Sequence, residues 1–181
     1  MPPTVSADPP GASIDHPLTR RAGRDLLSLA LMDARNHTLR LLTHFEQARQ
    51  PEAASADDGL ERPLWLAGHI AWLAEYWIGR NPQRALGCAC PADSVRLASV
   101  EPMADAWFNP ALASSSGNHW QLDLPDFAAI RAYLLDTLES TLELLEKTPE
   151  DDEPLYFFRA ALFHEDLHCE QLVVLAQSIG A

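Results

Sequence analysis

A chain of 181 residues with 47% hydrophobic content is long enough for one domain with a sizeable core. Its formal net charge of −13 argues against nucleic-acid phosphate and anionic membranes as partners, and no apolar run is long enough to span a bilayer. Cys88, Cys90 and Cys169 are odd in number and too few for a disulfide scaffold, and the N-terminus lacks the basic-then-apolar order of a signal peptide, so a reducing cytoplasm is the expected compartment.

Residues 1–17 are rich in Pro, Ala, Ser and Asp and read as a disordered or loosely attached tail. Residues 18–181 read as a single helical domain. A first helix is predicted from Thr19 to about Gln50, with Leu27, Leu31, Thr38, Leu41, Leu42 and Phe45 on one face. Pro51 to Gly59 reads as a loop. The second helix opens with Pro63 in its first turn and carries Trp65, Leu66, His69, Trp72, Leu73 and Tyr76 on one side. Ala67, Gly68, Ala71 and Ala74 on the other side would let a neighbouring element approach closely.

From Asn81 to Leu124 no period is sustained, because Pro82, Gly87, Pro91, Pro102, Pro110 and the Ser114–Gly117 run interrupt it. So long an irregular connection within a compact domain is often functional. Asp123 or Asp126 is expected to cap a third helix reaching about Lys147, with Ile130, Leu134, Leu138, Leu142 and Leu145 as its stripe. After the break at Thr148–Pro154 a fourth helix runs through Phe157–Leu172 without Pro or Gly. No stretch alternates convincingly as a strand. The expected fold is all-α, a four-helix up-down bundle with a long irregular connection between helices 2 and 3.

His164 and His168 lie one helical turn apart, on a face that also carries Phe157, Ala161, Leu172 and Leu175. Two imidazoles turned into a core are costly unless each has a partner, and a divalent metal suits this spacing. His69, on the apolar face of the second helix, completes a candidate three-histidine site with open positions for water or substrate. Imidazole suits Zn, Fe, Ni and Cu alike, so ligand type does not choose among them. Glu165, Asp166 and Glu170 flank the pair and could accept hydrogen bonds from ring N–H groups, although Asp166 reads equally well as solvated and Glu170 points off the histidine face.

His164-Glu-Asp-Leu-His168 also satisfies the zinc-protease pattern H-E-x-x-H. No His follows it, Glu170 is the one acid that does, and no sheet edge is available for a peptide, so a protease is not expected. His16, His37, His44 and His119 lie in the tail, on polar helix positions or in the connection, and have little claim to a site. Cys88-Ala-Cys90 lacks a second cysteine pair and the two-residue spacer of redox motifs, and reads as ordinary loop cysteines. Trp65, Trp72, Tyr76 and Trp77 read first as core and only then as a wall for an apolar or cationic ligand.

Pro63-Leu-Trp-Leu-Ala-Gly-His-Ile-Ala-Trp-Leu-Ala-Glu-Tyr-Trp77 and Ala161-Leu-Phe-His-Glu-Asp-Leu-His-Cys-Glu170 resemble the two signatures of the DinB-like domain that opens non-haem iron sulfoxide synthases of the ergothioneine type. Tyr76-Trp-Ile-Gly-Arg-Asn-Pro-Gln-Arg84 and Asp105-Ala-Trp-Phe108 fit the same resemblance, closest to the branch that makes the selenium analogue selenoneine. The resemblance implies a DinB-like bundle in which His69, His164 and His168 hold Fe(II), with Zn or Ni as other candidates. It implies a small thiol or selenol and a histidine betaine as substrates. Family members continue into a second domain of formylglycine-generating-enzyme type, absent from this chain, so the domain is not expected to be active alone. Stand-alone DinB-like proteins suggest a different reading, a divalent-metal-dependent thiol S-transferase or isomerase. A third is a non-catalytic module acting as a homodimer.

Overall fold

The computed structural model describes residues 21–48, 62–115 and 122–178, and every regular element among them is helical. Helix α1 spans Arg24–Gln47, α2 Pro63–Ala74, α3 Ala104–Phe108, α4 Pro110–Ser115, α5 Phe127–Glu146 and α6 Asp152–Ser178. A π-helical turn, Glu75–Gly79, continues α2, and a 3-10 segment follows at Arg84–Ala89. The 1–17 tail, the predicted helix start at Thr19 and the Pro51–Gly59 loop lie outside the described residues.

Each long helix forms for reasons visible in its residues. Leu27, Leu31, Thr38, Leu41, Leu42 and Phe45 of α1 are buried, as their spacing requires. In α2 every residue except Leu73 is buried, so the helix is enclosed on all sides. Asp126 caps α5, its carboxylate accepting the Ala129 N–H at 2.8 Å. Helix α1 packs on α6 and α5, and α2 packs on α5, α6 and α3. The core has two clusters, one around Phe45, Leu66, Ile70, Phe108, Leu134 and Leu172, the other around Leu27, Ile78, Leu145, Leu155 and Phe158.

The stretch predicted to be irregular is partly ordered. Within 81–124 it holds the 3-10 segment, α3 and α4, elements of five or six residues that are too short to display a period. Helix α3 takes the space that the small residues of α2 leave open. A Cβ added at Gly68 would lie 2.2 Å from Cε1 of Phe108, well inside any van der Waals contact. The π turn is held by a buried carboxylate. Glu75 accepts hydrogen bonds from the Tyr133 hydroxyl at 2.5 Å, the Val100 N–H at 2.6 Å and the Ser99 hydroxyl at 2.8 Å. Burial first, and Glu75 second, push the Tyr133 hydroxyl pKa upward, so it stays a donor.

The tie between α1 and α6 is ionic. Arg35 and Glu165, each 2% exposed, form a two-pronged pair, Nε to Oε1 at 2.8 Å and Nη2 to Oε2 at 3.0 Å. Thr38 donates to Oε1 of Glu165 at 2.7 Å, and Nη1 of Arg35 donates to the Leu134 carbonyl on α5. All the charge in this knot is paired within the protein. Removing one partner strands the other, at a cost of about 3–5 kcal/mol. Arg35→Met should lower the unfolding free energy by that order in urea, and Arg35→Met/Glu165→Leu should recover most of the loss. Equal loss in the single and double variants would show that packing, not charge pairing, is what the site supplies.

Candidate metal centre

Histidine 69 is fixed before any ligand arrives. Its ring lies between two indoles of its own helix, 4.8 Å from Trp65 and 5.6 Å from Trp72 by ring centres, with interplanar angles of 12° and 16°. Helix α3 supplies the acceptors that hold all three rings. The Trp65 indole N–H donates to the Trp107 carbonyl at 2.9 Å, and that of Trp72 to Oδ1 of Asp105 at 2.7 Å. Nδ1 of His69 lies 2.8 Å from the Phe108 carbonyl oxygen. A carbonyl can only accept, so Nδ1 carries the hydrogen and Nε2 presents its lone pair. Arg80 grips Asp105 with two bonds of 2.7 and 2.8 Å, and this contact holds the Asp105 carboxyl below its usual pKa.

His164 and His168 come from α6. Their Nε2 atoms are 2.9 Å apart, and one ligating nitrogen from each of the three histidines falls within 4.8 Å of the others. Nδ1 of His168 lies 2.6 Å from Oε1 of Gln171, which likewise fixes the N–H on Nδ1 if the amide oxygen accepts. Nδ1 of His164 is buried and has no hydrogen-bond partner among the described residues. His69 is buried while His164 and His168 are half-buried, so the group sits at the edge of the core and not deep inside it, with one side open.

Two of the three imidazoles, His69 and His164, are neutral at physiological pH. Burial pulls the pKa of His69 down to about 4, against the raising effect of the Phe108 bond and with a smaller lowering by His168. Burial, then His168 and His69, pull His164 down to about 3. Neutral imidazoles are the ligating form. A cation held at about 2.0–2.1 Å by two imidazoles keeps their nitrogens roughly 3 Å apart, which the His164–His168 spacing matches. The donor set therefore fits a divalent metal without fixing which one.

Of the flanking acids, Glu165 behaves otherwise than expected. Glu165 reaches no ring nitrogen, because both its oxygens are bound to Arg35 on the far side of α6. That commitment also removes it as the general base a zinc protease of this pattern would need. Glu170 is exposed and Asp166 half-buried. His37 and His44 are exposed on α1, and His16 and His119 lie outside the described residues. Cys169 is buried beside Thr38, its thiol pushed up to about 11 by burial, and is an inert core residue.

Cys88 and Cys90 line a cavity of about 360 Å³ with Leu73, Trp77, Phe157 and His164. A second hollow, about 760 Å³ along the outer face of α6, also reaches His164. Of the four aromatics, Trp65 and Trp72 brace His69, and the cation over Tyr76 and Trp77 is the chain's own Arg96, 4.7 and 4.6 Å from the ring centres. Sequence reasoning missed Phe108, Asp105 and Gln171 as supports. Gln171 was findable, standing three residues after His168; a backbone acceptor carries no side-chain signal.

No protein-family model matches the chain, and no curated protein matches it.

The lowered histidine pKa values make stability depend on pH. Unfolded histidine titrates near pH 6.5, so between that pH and about 4 the unfolded chain binds more protons than the folded one. Stability is complete above pH 6.5 and is lost as pH falls toward 4. The metal-free protein should melt several degrees lower at pH 5 than at pH 7. In His164→Leu the difference should shrink, and an unchanged difference would remove His164 from the explanation.

Proposed function

We propose that α1, α2, α5 and α6 form an up-down four-helix bundle of DinB-like type, and that His69, His164 and His168 hold one divalent metal, Fe(II) by the sequence resemblance. The reading assigns the chain to the metal-binding part of an O2-dependent synthase that joins a small thiol or selenol to a histidine betaine. The observation that carries it is the convergence of three imidazoles from two helices, with the Nδ1 of two of them already occupied. When bound, ferrous iron would supply Lewis acidity and a site for dioxygen.

The chain's own residues do the rest. Phe108 and Gln171 set the tautomers of His69 and His168, so that both Nε2 lone pairs are aimed before metal arrives. Trp65 and Trp72 stop the His69 ring from turning and keep water from that side of the site. The half-buried faces of His164 and His168 leave an approach for small molecules.

Anaerobic titration with Fe(II) should show one ion per chain and a rise in melting temperature with metal concentration. His69→Ala, His164→Ala and His168→Ala should each weaken binding by about a hundredfold or more, and Gln171→Leu by about tenfold. Oxygen uptake with a thiol and a histidine betaine should need a formylglycine-generating-enzyme-like domain added in trans. Thiol transfer by the zinc-loaded chain alone would instead support a stand-alone transferase. An unchanged melting point with Fe(II), Zn(II) and Ni(II) would leave the non-catalytic reading.

A further inference from the structure

Of the three ring N–H positions that metal binding through Nε2 would fix, two have acceptors and one does not. His69 uses the Phe108 carbonyl and His168 uses Gln171, but Nδ1 of His164 is buried with no partner among the described residues. A buried N–H left unpaired costs about 1–3 kcal/mol, so this atom is the natural place for a ligand to complete. His164 borders the 360 Å³ cavity. The walls of that cavity come from three separate parts of the fold: Leu73 and Trp77 from α2 and its π turn, Cys88 from the 3-10 segment with Cys90 just after it, and Phe157 from α6. The larger hollow has its walls on α6 alone.

The cavity is also rigid and chemically one-sided. Trp77 and Phe157 stack at 5.0 Å with an interplanar angle of 12°, and Tyr156 meets Phe157 edge-on at 5.1 Å. Apart from His164, the side chains of these walls offer carbon, two thiols, the Tyr156 hydroxyl and the Trp77 indole N–H, and no formal charge. Pockets of this kind select an apolar body and use a few polar atoms to orient it.

We infer that this cavity is a small-molecule site, taking a ligand with a compact apolar or aromatic body and a carbonyl or carboxylate oxygen that accepts the Nδ1–H of His164. The inference rests on the metal-binding reading in one respect: a metal on Nε2 puts the hydrogen on Nδ1. It assigns substrate selection on this side to Trp77 and Phe157, and it gives His164 two partners, metal on one nitrogen and ligand on the other.

The test uses the full chain loaded with zinc, its histidines labelled with ¹⁵N, and a near-isosteric pair of probes. Acetophenone has the acceptor oxygen, and α-methylstyrene has a methylene in its place. Zinc content is measured first, since a zinc-free sample would indict the metal reading and not the pocket. In zinc-loaded protein, acetophenone should shift the His164 Nδ1–H signal, and α-methylstyrene should bind without shifting it. Trp77→Ala should keep its zinc and lose about tenfold in affinity for both probes. The inference is overturned if neither probe binds zinc-loaded protein, if Trp77→Ala binds them unchanged, or if acetophenone perturbs the three Nε2 signals but not Nδ1–H of His164, which would place its oxygen on the metal.

Discussion

The buried pair of Arg35 and Glu165 is the constraint on which the geometry of the site depends. Glu165 directly follows His164 in the chain, and successive helix residues point about 100° apart. Once Glu165 is locked to α1 by two charged hydrogen bonds, with a third from Thr38, the rotation of α6 about its axis is set. His164 and His168 then face α2. An apolar contact there would tolerate a slip along or around the helix, whereas a two-pronged ion pair does not. Buried pairs contribute little net stability once desolvation is counted, so registration is the role that fits this one.

A second clamp acts from the other side. Helix α3 is five residues long, yet it offers acceptors to Trp65, His69 and Trp72 on one face of α2. Gly68 permits the approach, because Phe108 occupies the space a side chain would fill. Arg80 fixes Asp105, so the clamp is itself held. The result is a histidine with a defined tautomer and a braced ring, the kind of preorganisation that suits a metal ligand. Burial keeps His69 and His164 neutral, and the same burial makes the empty site vulnerable to acid.

The parts of this arrangement that were legible in the sequence are those written in long-range periodicity. The four long helices, the Asp126 cap and the inward set of three histidines follow from spacing alone. Glu165 was misread because helical position places it beside the histidines in sequence while its partner, Arg35, lies on a different helix; no local pattern joins them. The role of α3 was hidden for two reasons. Five residues cannot show a period, and the groups it supplies include the backbone oxygens of Trp107 and Phe108, which any residue would provide. That Cys88 and Cys90 border a cavity could not be read from their spacing, because its other walls come from distant parts of the chain.

The central claim is that three imidazoles from two helices share one metal ion. Crystals of the full chain grown with one equivalent of zinc, measured on either side of the zinc absorption edge, address it directly. The account expects a single anomalous peak about 2.0–2.1 Å from Nε2 of His69, His164 and His168. A peak beside Cys88 and Cys90 instead, or well-ordered histidines with no peak between them, would contradict it.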